Sequence, residues 1–429
     1  MAATETHRAI DAVWRIESAK IIAALTRIVR DLGLAEELAQ DALVAALEQW
    51  PDTGVPDNPG AWLMAVAKRR AVDVIRRARL LERKQEELGA DPPRPREEPE
   101  PDDVGDDLLR LMFTACHPAL STEARVALTL RLLGGLTTAE IARAFLVPES
   151  TVAQRIVRAK RTLARDKVPF EVPSGDELAP RLASVLEVVY LIFNEGYSAT
   201  AGEDWMRPAL CADALRLGRI LCGLAPKEPE VHGLVALMEL QASRARARTD
   251  RSGTPILLMD QNRGRWDRLL IQRGLAALRR AEELGGLGGP YTVQAAIAAC
   301  HARAVTPEQT DWVRIAALYE LLAALTPSPV VELNRAVALS MAFGAGAGLD
   351  LVDELAAEPS LANYHLLPSV RGDLLARLGR DEEARTEFER AAGLTRNARE
   401  RAVLLGRAAS CAAHHAVEPR GEQAEDDSG

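Results

Sequence analysis

The apolar residues between positions 149 and 167 recur at helical spacing, and no other short pattern constrains the fold of this chain as strongly. Projected at about 100° per residue, they form a seam on one side of a helix. The seam consists of Val152, Ile156, Ala159 and Leu163. The opposite side carries Thr151, Gln154, Arg158, Arg161 and Arg165. The segment therefore predicts a helix that packs through one face and holds a basic face in water.

Composition extends this prediction to the whole chain. Of its 429 residues 48% are hydrophobic but only 4% are aromatic, and Ala, Leu, Arg and Glu are abundant. These residues favour helix over sheet, and the length suits about two to four domains. We therefore predict an all-α protein of several domains.

Charge and proline content divide the chain into segments. Residues 68–84 carry eight basic and two acidic side chains, whereas residues 85–107 carry ten acidic and two basic side chains with five prolines. An acidic, proline-rich stretch is typical of a self-repelling linker, and VPFEVPSGDE at 168–177 marks a second break. The predicted segments are a first domain at 8–84, a linker at 85–104, a second domain at 105–168, a linker at 169–176, a third domain at 177–415 and a disordered tail at 416–429.

A second basic helix is predicted after the loop PDTGVPDNPG at 51–60. Its apolar seam consists of Leu63, Ala67, Ala71, Val74 and Ala78. Arg69, Arg76 and Arg77 lie on the far side of this helix. Taken alone, such a basic run is more often an ordinary solvated surface than a nucleic-acid contact.

The segment 120–163 has the pattern of a helix-turn-helix. One helix ends at Gly134-Gly135, a second begins at Thr137-Thr138 with Glu140 as capping-box partner, and Pro148 introduces the third. The third helix is the basic one, and its Thr, Gln and Arg side chains are suited to base edges and phosphates in a major groove. An ordinary three-helix bundle with a charged outer face is the alternative, but the agreement of caps, turn and face chemistry favours DNA binding.

Three stretches resemble regions two and four of extracytoplasmic-function (ECF) sigma factors, the promoter-specificity subunits of bacterial RNA polymerase. They are AEELAQDALVAALEQW at 35–50, NPGAWLMAVAKRRAVDVIRR at 58–77 and GLTTAEIARAFLVPESTVAQRIVRAKRTL at 135–163. The resemblance implies as partners promoter DNA and core RNA polymerase, through its β′ and β subunits. The sequence of this chain departs from the family pattern at Arg69, where the family usually has Asn.

The resemblance also implies a role for three sets of residues. The set that docks the β′ coiled coil is Glu37, Gln40 and Asp41. The set that faces the melted -10 element is Trp62, Lys68, Arg69, Arg76 and Arg77. The set that faces the duplex -35 element is Thr151, Gln154, Arg155, Arg158 and Arg161.

The 240 or so residues after the helix-turn-helix are predicted to be a helical-repeat extension. In HLLPSVRGDLLARLGRDEEARTEFERAAGL, small and aromatic residues stand at tetratricopeptide spacing. These residues are Gly372, Gly379, Ala384, Phe388 and Ala391. The blocks at 190–205, 257–267 and 327–340 resemble signatures of a sigma-factor subgroup with such an extension, although Asn262 replaces an acidic residue there.

Two of these blocks supply candidates for a regulatory role. The candidates are Asn194, Glu195, Tyr197, Asp260, Arg263 and Trp266. A tight helix-helix turn is the alternative explanation for the first three, and a buried polar network is the alternative for the others.

Other function classes find little support in the sequence. The Gly-rich stretches lack the Gly-Lys-Ser/Thr of a phosphate loop, the five cysteines show no CxxC spacing, and no catalytic constellation stands out. We predict a protein that is not an enzyme and has no cofactor, metal or disulfide. No apolar run is long enough to span a membrane and the N-terminus lacks a secretory signal, so we expect a cytoplasmic location without membrane contact.

The resulting hypothesis is a sigma factor that reads -10 and -35 elements, with its activity modulated by an intramolecular contact of the extension. The extension either masks the DNA-binding faces or braces them. One alternative is a helix-turn-helix regulator that acts without polymerase core and senses a ligand through the repeats. A weaker alternative is a repeat scaffold whose basic helices are incidental.

Overall fold

A computed structural model describes residues 2–86, 104–145, 147–198, 206–251 and 253–417 of the chain. Over these ranges the chain forms eighteen α-helices and short 3-10 turns, with one isolated antiparallel bridge between Thr249 and Pro255 in place of any strand. The predicted all-α class is confirmed. The chain divides into two compact units, unit one at Met1–Ile192 and unit two at Phe193–Gly429.

Unit one contains seven complete helices and most of an eighth. They are α1 (Ala2–Val29), α2 (Leu32–Thr53), α3 (Pro59–Glu86), α4 (Val104–Ala115), α5 (Thr122–Leu132), α6 (Thr138–Phe145), α7 (Glu149–Arg165) and α8 (Leu178–Tyr197). Asp31 caps α2, since its carboxylate accepts a 2.8 Å hydrogen bond from the amide of Leu34. Trp50 and Leu63 are each 1% exposed, and they join α2 and α3 in one core.

The helix-turn-helix follows the caps that the sequence predicts. The amide of Glu140 donates to Thr137 Oγ1 at 3.1 Å, and the amide of Thr137 donates to Glu140 Oε2 at 2.8 Å. This reciprocal capping box begins α6. The chain can turn before it because Gly135 adopts a φ of 70°, a conformation that glycine accepts without steric cost. The four seam residues of α7 are all buried, as predicted.

Helix α8 belongs to both units. Its first turns pack on the helix-turn-helix half: Arg181 donates to the carbonyl of Phe113 at 3.0 Å, and Ser184 donates to the carbonyl of Cys116 at 2.6 Å. Arg125 adds a 2.9 Å ion pair with Glu187. The division between the two units therefore falls inside α8, after Ile192.

Unit two is a series of helices in which neighbours along the chain pack on each other. They are α9 (Pro208–Leu224), α10 (Pro229–Ala242), α11 (Arg268–Glu283), α12 (Pro290–Arg303), α13 (Trp312–Leu325), α14 (Pro329–Phe343), α15 (Ala345–Leu355), α16 (Leu366–Arg377), α17 (Asp381–Leu394) and α18 (Ala398–Val417). Phe388 and Ala384 are buried, and a Cβ on Gly372 would lie 2.9 Å from the Phe388 ring. Gly379 turns the chain with a φ of 74°. The predicted helical repeat is confirmed.

Parts of three sequence predictions lie outside the described residues. They are most of the linker 85–104, nearly all of the tail 416–429, and the end of the block 190–205. Within the described part of the chain, no helix is long and apolar enough to cross a membrane.

Candidate nucleic-acid interface

Helix α7 presents a basic face that the described part of the protein leaves uncovered. Gln154, Arg158 and Arg161 are exposed, while Thr151 and Arg155 are half-buried. Among the described residues, the side chains of those three exposed residues form no hydrogen bond or ion pair. The opposite face is anchored, since Val152 is 1% exposed and Leu163 is 5% exposed. A helix fixed by one face and unengaged on the other has the geometry of a major-groove reader.

Helix α3 carries a second basic face. Arg69, Arg76 and Arg77 are exposed, whereas Lys68 and Trp62 are half-buried. The Trp62 ring packs edge-on against Trp50, with 5.3 Å between centroids. Contact with Trp50 thus fixes the position of Trp62, while part of its ring stays exposed. A side chain that stacks on an unpaired base needs both properties.

An acidic surface lies on α2. Glu37 and Asp41 are exposed one turn apart, and Gln40 is half-buried between them. Asp41 forms a 2.8 Å ion pair with Arg70 of α3, in which both side chains are more than a third exposed. An exposed pair of this kind contributes little to stability, so Asp41 can leave Arg70 at little cost. The carboxylates of Glu37 and Asp41 are therefore both available to a partner.

The structure identifies one buried acid that sequence reasoning missed, the neighbouring Glu36. It is 5% exposed, and its carboxylate pairs with Arg131 of α5 at 2.7 Å and with Lys160 of α7. Gln40 also donates to it, at 2.7 Å. Burial by itself would raise the pKa of Glu36, but the charges of Lys160 and Arg131 hold the pKa below its ordinary value. Glu36 is therefore an ionised carboxylate at the junction of α2 with the helix-turn-helix.

Two further ion pairs join α1 to the same half of unit one. Arg15 pairs with Glu140 of α6 at 2.7 Å, and Arg27 pairs with Asp107 of α4 at 2.9 Å. We call these pairs, together with Glu36, Arg131 and Lys160, the closed contact. At about 100° per residue, Lys160 lies about 160° around α7 from Arg158 and about 100° from Arg161. The closed contact therefore meets α7 on a side away from Arg158.

The regulatory candidates of unit two have different environments. Glu195 is buried and pairs with Arg207, whereas Asp260 is exposed and Asn194 is half-buried. Tyr197 and Trp266 lie against a buried arginine, Arg244, that no sequence pattern distinguishes, and Arg263 lies against the same Trp266 ring. Three of the six candidates are thus brought together.

Comparisons with known proteins agree with this geometry. Residues 16–80 match the family Sigma-70 region 2, and residues 110–163 match Sigma-70, region 4. The ECF RNA polymerase sigma factor SigK of Mycolicibacterium vanbaalenii is 30% identical over 158 residues, which are 34% of this chain and 76% of that protein. This chain belongs to the ECF RNA polymerase sigma factors. This sigma-factor family consists of transcription factors that are not enzymes.

The sigma factor continues into a long C-terminal extension. Residues 181–282 match a family of unknown function, DUF6596. The uncharacterized protein R00370 of Rhizobium meliloti (strain 1021) is 47% identical over 387 residues, which are 89% of this chain and 90% of that protein. Yeast Tom70 aligns over 97% of this chain and 85% of its own chain, with 10% identity and a TM-score of 0.38, a likeness too weak to support an argument.

Proposed function

We propose that this sigma factor binds core RNA polymerase through α2 and directs it to promoters, with α7 on the duplex -35 element and α3 on the melted -10 element. The observation that carries the proposal is the basic face of α7, whose Gln154, Arg158 and Arg161 side chains are exposed and uncommitted among the described residues. The acidic surface of α2 supports the polymerase assignment, and so does the similarity to the SigK sigma factors.

The proposed -35 contact predicts two kinds of mutational effect on DNA binding. We expect Gln154→Ala or Arg158→Ala to reduce discrimination among -35 sequences by about 1–3 kcal/mol for each bidentate hydrogen-bonded pair with a base that the substitution removes. Arg161→Ala should weaken binding evenly across sequences if Arg161 contacts only phosphate. Holoenzyme binding to a set of single-base promoter variants measures both effects.

Arg165→Ala provides the matched control for these mutants. Arg165 is an exposed arginine on the same helix, and it is paired with Asp166 at 2.7 Å. Its loss should leave the order of promoter preference unchanged. If Gln154→Ala and Arg158→Ala both keep the wild-type preference, α7 is not the recognition helix.

The closed contact has to open before both promoter elements can be read. Positions -35 and -10 are about 25 base pairs apart, or about 85 Å at about 3.4 Å per base pair. A compact unit of some 190 residues has a radius of gyration of about 16 Å. We therefore infer that α7 separates from α2 when the protein joins core polymerase and DNA.

We further propose that the extension modulates transcription. Removing residues 199–429 tests this, because the truncated chain keeps the bonds of Arg181 and Ser184 that join α8 to unit one. Lower transcription from the cognate promoter, measured in vitro with purified core polymerase, indicates an extension that braces the DNA-binding domains. Higher transcription indicates one that masks them. Transcription equal to that of the full chain, with and without cell extract, would contradict both versions.

A further inference from the structure

Unit two buries three arginines in the segment between α10 and α11. Arg244 is 9% exposed, Arg248 is 5% exposed and Arg263 is 6% exposed. Arginine is almost never this deeply buried without a paired anion, because a charge removed from water needs compensation. These three residues therefore need either counter-ions or strong alternative partners.

Two of the three have such partners. Arg263 donates to the carbonyls of His301 and Ala304 at 2.8 Å each, and to Thr310 Oγ1 at 3.0 Å. Arg248 donates to the carbonyl of Tyr197, and its guanidinium lies 3.5 Å from the centroid of the Tyr197 ring. Carbonyl groups and aromatic faces fix the positions of these cations.

Arg244 has weaker partners than either neighbour. Its guanidinium carbon lies 5.9 Å from the ring centroids of both Tyr197 and Trp266. No described residue accepts a hydrogen bond from its side chain or forms an ion pair with it. Arg244 is thus a buried cation held between two aromatic rings, with its donors unused by the described part of the chain.

The charge of Arg244 acts on the titrating groups around it. Burial, together with the charges of Arg244 and Arg263, lowers the pKa of His301 to about 3. Burial likewise lowers the pKa of Arg248 to about 10, with Arg244 again contributing. An anion beside Arg244 would relieve this repulsion.

An open cleft lies next to this cluster. Its volume is about 770 Å³, it is lined by Trp266 and by the exposed arginines Arg246, Arg265 and Arg268, and it also contains Asp250 and Asp267. Both carboxylates accept hydrogen bonds from backbone amides, of Thr254 for Asp250 and of Leu269 for Asp267. Trp266 is 4% exposed, and its indole N–H has no acceptor among the described atoms. The lining thus carries three arginines and two carboxylates, and its Trp266 ring lies against the buried guanidinium groups of Arg244 and Arg263.

We propose that this cleft binds a small organic anion through a phosphate or carboxylate group, with Arg246, Arg265 and Arg268 in its lining and the buried cation Arg244 against the ring of Trp266. The volume lies within the range of about 300–1,000 Å³ typical of small-molecule sites. Arginine side chains are well suited to either kind of oxyanion, because the planar guanidinium matches both. The proposal concerns unit two alone and stands independently of the sigma-factor assignment.

Calorimetric titration and thermal unfolding of the full-length chain test the proposal with inorganic pyrophosphate and citrate as probes, at ionic strength held constant with sodium chloride. We expect saturable binding of at least one probe at a single site. The probe should raise the melting temperature of the extension by roughly 5 °C at about one hundred times its Kd. The better of the two probes distinguishes a phosphate from a carboxylate ligand.

Two variants and a control locate the binding site. Arg244→Met should weaken probe binding at least tenfold without lowering the melting temperature of the unliganded chain, because methionine packs on aromatic rings and removes an unpaired charge. Arg246→Gln combined with Arg265→Gln should weaken binding similarly. Arg279→Gln removes an exposed arginine about 16 Å further along α11 than Arg268. This control should change neither the affinity for the probe nor the melting temperature.

Three results would overturn the proposal. One is a response to the probes no larger than that to added sodium chloride. Another is a destabilised Arg244→Met chain that still binds the probe normally, since Arg244 would then have a counter-ion within the protein. The third is tighter binding of a hexaglutamate peptide than of either probe, which would indicate an acidic protein segment instead of a small molecule.

Discussion

We expect Glu37→Lys combined with Asp41→Lys to abolish assembly with core RNA polymerase while leaving the sigma factor folded. Both carboxylates are exposed one turn apart on α2, and the 2.8 Å pair of Asp41 with Arg70 is itself largely solvated. Its loss should cost less than about 1 kcal/mol of stability. If the polymerase meets Glu37 and Asp41 with basic groups, the two lysines place like charges against each other. Such contacts cost several kcal/mol of binding free energy.

Gel filtration of the mixed proteins measures assembly, and circular dichroism measures helical content. The control is Glu282→Lys combined with Glu283→Lys, which reverses two exposed charges on α11 and changes the net charge equally. The control should assemble with core normally. A double mutant on α2 that still forms holoenzyme would show that the polymerase surface lies elsewhere.

The same assay separates the sigma-factor mechanism from a regulator that acts without polymerase core. A sigma factor should bind promoter DNA tightly only after it has bound core, because its net charge of -9 opposes contact with bulk DNA. Specific binding to duplex DNA without core, accompanied by failure to bind core, would favour the regulator.

Local features of the structure were predictable because they depend on neighbouring residues. The capping box of Thr137 and Glu140 spans four residues, and the seam of α7 repeats within each turn, so both can be read from the sequence. The tetratricopeptide spacing around Phe388 is local in the same sense. Each of these patterns fixes an element and its buried face.

Features that depend on long-range pairing were not predictable. Glu36 and Glu37 are adjacent acids on one helix, yet only Glu36 meets Arg131, which lies 95 residues further along the chain. Arg244 resembles many solvated arginines in the sequence, and only the fold buries it between two rings. Burial of a charge depends on the packing of several elements, which a single amphipathic pattern does not specify.

The second large effect concerns the closed contact, which we expect Lys160→Gln to weaken. The substitution removes one of the two cations that compensate the buried carboxylate of Glu36. Breaking a buried pair outright costs about 3–5 kcal/mol. Because Arg131 remains in place, we expect a smaller cost of about 1.4 kcal/mol, a tenfold change in the opening equilibrium. Lys160 lies about 160° around α7 from Arg158 and is not one of the proposed DNA-contacting residues, so those residues stay in place.

Protonation of Glu36 should have the same effect as removing its partners. Because its folded-state pKa is lowered, the contact is fully stabilising above the pKa of Glu36 in the unfolded chain. The stabilisation disappears as the pH falls through the lowered value. Glu36→Gln mimics this protonated state at neutral pH, and its scattering profile should match that of the wild type in acid.

Opening should appear in two measurements on Lys160→Gln. Small-angle scattering of the full-length chain should show a larger radius of gyration, and the apparent Kd for core polymerase should fall about tenfold, because a larger fraction of molecules already has the arrangement that core requires. Arg165→Gln, which removes an exposed cation at the end of α7, should change neither measurement. Tighter core binding in Lys160→Gln would mean that the closed contact opposes holoenzyme formation, so that part of the binding energy of polymerase is spent on separating α7 from α2. An unchanged radius together with an unchanged Kd would instead mean that Glu36 and Lys160 do not restrain the two DNA-binding halves in solution.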